Sequence, residues 1–306
     1  MSRSMKDGSN FHSSVIGFPL DFRSEAPVWR ERLLAGTSLL DAEIWESLPS
    51  TNTRALEIAG EAEQPVPAVI WAIHQTAGRG RSGKSWLSGT GSLTLSLILE
   101  IDTVILPRRE WSLLSLASGM AVCDAIRAFS PSGRIGVKWP NDVYADGRKI
   151  AGILVETPRS IEHVSSSRPL SRVVVGIGVN VNNDIPQAHV SFDRPAITMQ
   201  DLFPYEAVPL FDFAKEVCLR VFGELRVIQE STGAAASPSV GERWPDYCIL
   251  TDCPVEWIPP ETISGSLPVR GICEGITSAG ELRIRRADRS EFVAGRGSVR
   301  LIDEVT

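Results

Sequence analysis

Residues 75–91 read Gln-Thr-Ala-Gly-Arg-Gly-Arg-Ser-Gly-Lys-Ser-Trp-Leu-Ser-Gly-Thr-Gly, so glycines at 78, 80, 83, 89 and 91 alternate with Arg79, Arg81 and Lys84. Glycine lets a ligand approach the backbone closely. Successive exposed amides can form an anion-binding concavity, and cations add to it. The chemistry implied is a cradle for phosphate or carboxylate, with the three cations converging on it. Gly78–Ser85 fits the P-loop spacing G-x-x-x-x-G-K-S, and Gly78, Gly80 and Gly83 fit G-x-G-x-x-G. The P-loop and dinucleotide readings both need a helix next, because its N-terminus holds the phosphates. Here Trp86-Leu-Ser-Gly-Thr-Gly follows, and then Leu93, Leu95, Leu97, Leu99 and Ile101 alternate with other residues, which is the period of a strand. A kinase loop does lie between strands, but no H-R-D or D-F-G segment follows. A P-loop NTPase stays as the alternative that predicts nucleotide hydrolysis without a second substrate.

Two further segments carry polar groups of the right type. Lys138-Trp-Pro-Asn-Asp142 leads through an Asp146-Gly147 hairpin turn into Lys149-Ile-Ala-Gly-Ile-Leu-Val-Glu156. That hairpin brings Asn141, Asp142 and Lys149 toward one region. Gly176-Ile-Gly-Val-Asn-Val181 is a strand broken by two glycines, a pattern that marks close approach of a ligand or another backbone. Arg79, Arg81, Lys138 and Lys149 would supply a positive field, and the amides of the glycine loop fixed dipoles. Gln75 offers a donor and an acceptor. Ser50 or Thr51 would cap a helix running to about residue 62. Asp142 could orient or deprotonate an attacking amine, or else brace Lys138 or the turn. Trp86 reads equally as a core aromatic or as a wall of a nucleotide site.

Gly-Arg-Gly-Arg, Lys-Trp-Pro-Asn-Asp and Lys-x-x-Gly-Ile-Leu-x-Glu, in this order, resemble the biotin protein ligases. The likeness is close over 44–181 and looser to the C-terminus. The fold it implies is α+β: a mixed β-sheet flanked by helices, of the class II synthetase-like biotin/lipoate ligase type, followed by a small C-terminal SH3-like β-barrel. The activity implied is ATP-dependent conversion of biotin to biotinyl-5'-AMP, with Mg²⁺, and transfer to a lysine of a biotin carboxyl carrier protein. By the same resemblance, biotin would meet Ser50, Thr51, Asn52, Gln75, Gly78, Arg79, Lys149, Gly152, Gly176 and Gly178. ATP would meet Arg79, Gly80, Arg81, Trp86, Lys138, Asn141, Asn180 and Arg300, with magnesium near Asn141. Lys149, Arg79, Arg81 and Asp142 would be the catalytic set. Arg300 matches a cap arginine that reaches ATP, although Arg296-Gly297 replaces the commoner residues before it. No tryptophan stands where relatives cover the adenine; Phe192, within 192–199, is the substitute. A lipoate ligase and a non-enzymatic biotin sensor are the competing readings.

The chain of 306 residues suggests one large domain and a small one: an N-terminal arm at 1–40, a catalytic domain at 41–235 and a cap at 240–306. Helices are expected at 27–34, from Pro107 to about 130, and around 214–225. Cap strands are expected near 254–258, 268–276, 281–286, 291–294 and 298–302. A net charge of −6 argues against general nucleic-acid binding. The arm is too short for a winged helix-turn-helix, so no DNA partner is expected. The five cysteines form no C-x-x-C pair, and the four histidines no metal-binding cluster. No apolar run of membrane-spanning length stands out and no signal segment is evident, so the expected setting is the cytoplasm, without membrane attachment. A monomer and a homodimer are both open.

Overall fold

The computed structural model describes residues 22–130, 133–158, 162–163, 169–185, 196–204, 206–230, 238–261 and 267–303. Phe192, residues 1–21 of the arm and residues 231–237 at the expected boundary before the cap lie outside them. The central sheet has eight strands: β1 (Asp41–Leu48), β2 (Ala68–Gln75), β3 (Leu93–Asp102), β4 (Ile135–Lys138), β5 (Asp142–Ala145), β6 (Arg148–Glu156), β7 (Glu162–His163) and β8 (Leu170–Val179). Their order is β1-β2-β3-β8-β6-β5-β4, with β7 also pairing β8. β1 and β2 run parallel and the other pairs antiparallel, so the sheet is mixed, as expected.

Side-chain alternation along the strands decides what each face holds. Val69, Trp71 and Ile73 of β2, Leu93 to Ile101 at odd positions of β3, and Val173, Val175, Ile177 and Val179 of β8 enter the main core. There they meet α1 (Phe22–Gly36), α3 (Ser112–Phe129) and α5 (Leu210–Glu230). The opposite face takes Ala68 and Ile70, Ile98 and Val174, which pack on Ala55, Ile58 and Ala59 of α2 (Thr51–Ala59). Gly176 and Gly178 continue this second face, Gly176 against Asn52 of α2 and Gly178 against Trp86.

Two helix expectations shift. α1 starts well before Pro27, because Trp29 stacks on Trp71 at 4.8 Å and Leu33 is buried, so tertiary packing extends the helix through the proline. Pro107 opens a short 3₁₀ turn at Arg108–Glu110, and α3 begins only at Ser112. By length and composition the span Arg108–Phe129 is apolar enough to cross a membrane, contrary to the sequence reading, but 67% of that window is buried, as in a core helix.

After α5, α4 (Met199–Leu202) having come before it, α6 (Val240–Arg243) leads into a second sheet. It comprises β9 (Pro254–Ile258), β10 (Val269–Ile276), β11 (Leu282–Arg285), β12 (Glu291–Ala294) and β13 (Ser298–Leu301), in the order β12-β11-β10-β9-β13. This small antiparallel sheet agrees with a barrel-like cap. Its β10–β11 turn docks behind the Lys-Trp-Pro-Asn-Asp segment: Trp139 Nε1 donates to Gly280 O at 3.1 Å and Ser112 Oγ to Ala279 O at 2.8 Å.

Arg172 of β8 is 5% exposed and ties the C-terminal end of α2 to the sheet. Its guanidinium donates to the carbonyls of Ala59, Glu61, Ala62 and Gln64 and pairs with Glu100. Removing it strands buried acceptors, each costly to leave unpaired. Arg172→Met is therefore expected to destabilise the fold by about 3 kcal/mol. Urea unfolding checks this: the midpoint falls while the slope is unchanged.

Candidate active site

The site lies on the α2-side face of the sheet, at the end where Gly152, Gly176 and Gly178 stand on neighbouring strands. Gly152 and Gly178 are directly paired in the β6–β8 register. Without Cβ atoms they leave a floor that other groups can approach. A Cβ at Gly176 would overlap the side-chain amide of Asn52, and one at Gly178 would overlap the Trp86 indole. Trp86 is thus a wall lying on the glycine floor, half-buried, and its Nε1 is shielded from solvent with no hydrogen-bond partner.

The glycine loop is a small hairpin excursion, and no helix follows it, which removes the P-loop reading on geometry. Gly80 N donates to Lys84 O at 2.7 Å, Trp86 N to Gly78 O at 2.9 Å, and Arg79 bridges to Ser85. A 3₁₀ turn at Arg81–Gly83 closes it. The three cations do not converge as expected. Arg79 and Arg81 turn to the sheet, whereas Lys84 is exposed at the tip of the turn.

Arg79 Nη2 lies 2.5 Å from Glu156 Oε1, and its Nη1 lies 3.4 Å from Thr53 Oγ1. Arg81 Nη1 donates to Asn141 Oδ1 at 3.1 Å. Burial pushes the Arg81 guanidinium below its ordinary value, and the charge of Asp142 opposes that shift. A partly desolvated cation of this kind gains from an incoming anion. Lys149 Nζ is 2.6 Å from Asp142 Oδ1 and 5.8 Å from the Trp86 ring. Asp142 therefore braces Lys149. Lys138 faces Asp142 in the β4–β5 register. Lys138 is buried on β4 with Nζ 5.4 Å from the Tyr144 ring. Asn141 also anchors the corner, its Nδ2 donating to Ile153 O at 2.8 Å.

The opposite wall is the start of α2. Ser50 holds the N-cap position, but neither Ser50 nor Thr51 caps the helix with its side chain. Gln75 does that work: its Oε1 accepts from Thr51 N at 2.7 Å and Thr51 Oγ1 at 3.2 Å. Gln75 N accepts nothing itself and donates to Ser88 Oγ at 3.0 Å, tying the strand to the glycine loop. Asn52 Nδ2 donates to Glu156 Oε2 at 2.9 Å and to Leu154 O at 3.3 Å. Ser96 Oγ lies 2.6 Å from Asn52 Oδ1 and 2.8 Å from Thr51 Oγ1. Sequence reasoning assigned no role to Ser96 or Glu156. The signal for Ser96 is a small hydroxyl at an even position of a strand whose odd positions are all apolar.

Asn180 braces the floor: its N donates to Ile150 O at 2.9 Å and its Oδ1 accepts from Asn183 Nδ2 at 3.4 Å. Arg300 stands on β13 of the cap and pairs with buried Glu256, Nε to Oε2 at 2.6 Å, in a cluster shared with Arg270. These partners lie within the cap, and the Arg79–Arg81–Lys149 group forms without Arg300.

A glycine-floored mixed sheet, a Gly-Arg-Gly-Arg loop folded over it and a small β-sheet cap docked behind it define a fold of the biotin and lipoate ligase class. Residues 44–180 match the model of the biotin/lipoate A/B protein ligase family. A biotin–[acetyl-CoA-carboxylase] ligase of Mycobacterium tuberculosis is 36% identical over 187 residues, covering 60% of this chain and 63% of that protein. One from Paracoccus denitrificans is 38% identical over 134 residues, 43% of this chain and 51% of that protein. The matched segments thus span between about half and under two thirds of these relatives. A biotin protein ligase of Aquifex aeolicus in complex with biotin and ATP shares the fold with a TM-score of 0.68 at 23% identity, over 86% of this chain and 100% of that one.

The glycine floor makes a direct prediction. Gly176→Ala forces Asn52 away and is expected to cost about 2 kcal/mol by overpacking. At Gly152 the nearest atom to an added Cβ is 3.4 Å away, an ordinary contact. Gly152→Ala should therefore leave the urea midpoint nearly unchanged while Gly176→Ala lowers it.

Proposed function

We propose that this chain is a biotin–[biotin carboxyl carrier protein] ligase that forms biotinyl-5'-AMP from biotin and ATP and passes the acyl group to a carrier lysine. The single observation behind this reading is the site face itself: three cations, Arg79, Arg81 and Lys149, border a glycine floor walled by Trp86. Adenylation brings a carboxylate and a triphosphate together, so it needs cations to hold both anions in attack geometry. A floor without side chains beside an aromatic wall suits a compact ring system, with few polar groups to orient it.

In the first step a biotin carboxylate oxygen attacks the α-phosphorus and pyrophosphate leaves with the electrons of the broken P–O bond. Arg79 and Lys149 are assigned to the carboxylate and Arg81 to the α-phosphate. Lys149 acts by its charge, held in place by Asp142. Asn52, Thr51 and Gln75 form the polar end of the pocket, linked through Ser96. Asn141, whose Oδ1 accepts from Arg81, would offer an oxygen to a magnesium ion carried by the nucleotide, which would help neutralise the triphosphate. In the second step a carrier amine attacks the acyl carbon, AMP departs, and the amine's proton passes to a nearby carboxylate, for which Asp142 is the nearest candidate.

A lipoate ligase would use the same adenylation step with a longer acyl chain. Pyrophosphate release from Mg-ATP is measured with biotin, with lipoate and with neither. Release with biotin alone, followed by labelling of a carrier domain, is the expected outcome. Release with lipoate alone overturns the substrate, and phosphate release without either acid overturns the reading entirely.

Two variants test the roles. Lys149→Ala should lower biotin-dependent pyrophosphate release by about 100-fold or more, as loss of a preorganised charge does. Arg81→Gly should release biotinyl-adenylate faster while biotin affinity changes little; unchanged retention of the adenylate would remove Arg81 from that role.

A further inference from the structure

Thr51, Asn52, Gln75 and Ser96 are polar, almost wholly buried and in contact with one another under the start of α2. Ser96 has no exposed surface and faces Gly176 directly in the β3–β8 register, so it stands in the floor itself. The direction of each hydrogen bond follows from what each atom can do. Asn52 presents its nitrogen to Glu156 Oε2 at 2.9 Å and to Leu154 O at 3.3 Å, and both of those oxygens accept. The other end of the amide is therefore its carbonyl oxygen, which can only accept, and it lies 2.6 Å from Ser96 Oγ. The one Ser96 hydroxyl proton is spent on that bond.

Thr51 Oγ1 lies 2.8 Å from Ser96 Oγ. With the Ser96 proton committed, the hydrogen in this contact comes from Thr51. The other neighbour of the Thr51 hydroxyl, Gln75 Oε1 at 3.2 Å, is an acceptor too, since it already accepts from Thr51 N at 2.7 Å. Thr51 thus has no hydrogen left for a ligand and offers it only lone pairs. Gln75 is fixed the opposite way. Its oxygen is held at α2, and its Nε2, which makes no hydrogen bond among the described residues, stands beside Gly78 at the start of the glycine loop. The polar end of the pocket is therefore an acceptor next to a donor.

We infer that Ser96 is a specificity-determining positioning residue, which acts through Thr51 to select a ligand ring that carries an N–H next to a C=O. This rests on the assignment of biotin as the acid, and it names the group that separates biotin from lipoate. A cyclic urea gives its N–H to Thr51 Oγ1 and takes a hydrogen bond from Gln75 Nε2 on its carbonyl oxygen. A dithiolane ring has neither group and leaves a buried acceptor and donor unpaired, which is costly. Without Ser96 the Thr51 hydroxyl is free to turn its hydrogen toward the pocket, against the N–H of the ligand. Ser96 touches no ligand in this scheme; it fixes which way a neighbouring hydroxyl points.

The test is calorimetric titration of biotin and of lipoate into the full chain as wild type, Ser96→Ala, Thr51→Val and the double variant, with a urea midpoint for each. Ser96→Ala is expected to weaken biotin by about tenfold, the worth of one buried hydrogen bond, and to leave lipoate unchanged. Thr51→Val should cost biotin at least as much. Adding Ser96→Ala to it should cost about a further twofold or less, because the two residues act through one hydroxyl. Ser96→Cys keeps a weaker donor in the same place; it carries the same cycle if Ser96→Ala does not fold, and should show the same non-additive pattern. Losses that multiply in the double variant, an unchanged biotin affinity in the single Ser96 variant, or an equal loss for both acids would each overturn the inference while leaving the biotin assignment standing. A wild-type chain that binds lipoate and not biotin overturns both.

Discussion

Three cations sharing one end of a sheet are the constraint on which the site depends. Two like charges about 6 Å apart at an effective dielectric near 20 repel by roughly 3 kcal/mol. Each cation here is given its own internal acceptor: Glu156 for Arg79, Asp142 for Lys149 and the Asn141 amide for Arg81. Two of the three acceptors carry a full negative charge and one is a neutral amide, so the arrangement remains net cationic. An anionic ligand competes with Glu156 and Asp142 for charges that are already aimed, and needs no new positive group.

Those acceptors are fixed because the elements carrying them are fixed. Glu156 holds Arg79 with one oxygen and Asn52 with the other, so the cationic loop and the start of α2 share a carboxylate. α2 is then held at its other end by Arg172, which stands on β8 four residues before Gly176 and on the same face. One face of one strand thus supplies the anchor of the helix and the glycine floor of the pocket. The Asn141–Asp142 corner is braced from behind, where Trp139 meets the cap turn at Gly280 and Ser115 Oγ donates to Pro140 O at 3.1 Å.

Much of this was legible in the chain. The period-two run at 93–101 placed β3, since alternation is a local property with a strong signal, and the cap strands stand within a few residues of where they were expected. The Asp146-Gly147 turn set the β5–β6 hairpin and with it the meeting of Asn141, Asp142 and Lys149. What failed was information that only tertiary contact holds. Gln75 caps α2 from 24 residues away, a role a local Ser-Thr reading assigns to Ser50 or Thr51. Which partner Asp142 takes was left open by the chain; a register irregularity between Val143 and Tyr144 brings Lys149 to its carboxylate. The glycine loop had cations at alternate positions, and an Arg79–Ser85 pairing sends them to different neighbours.

The cap is tied to the central sheet through shared apolar core more than through polar contacts at the site. Its apolar residues Val255, Trp257, Cys273, Leu282 and Ile284 belong to the same continuous core as α3 and the central sheet. It therefore moves as part of the catalytic body unless that core is broken. Arg300 and Arg270 share one buried carboxylate, Glu256, which the two guanidinium groups hold below its ordinary value despite the cost of burial. Two cations on one anion leave a net positive charge on that face of the cap. An anion approaching Arg300 meets a side chain already oriented by Glu256, with Arg270 remaining to satisfy the carboxylate if Arg300 turns away. The pairing thus lets Arg300 turn away without stranding a buried charge.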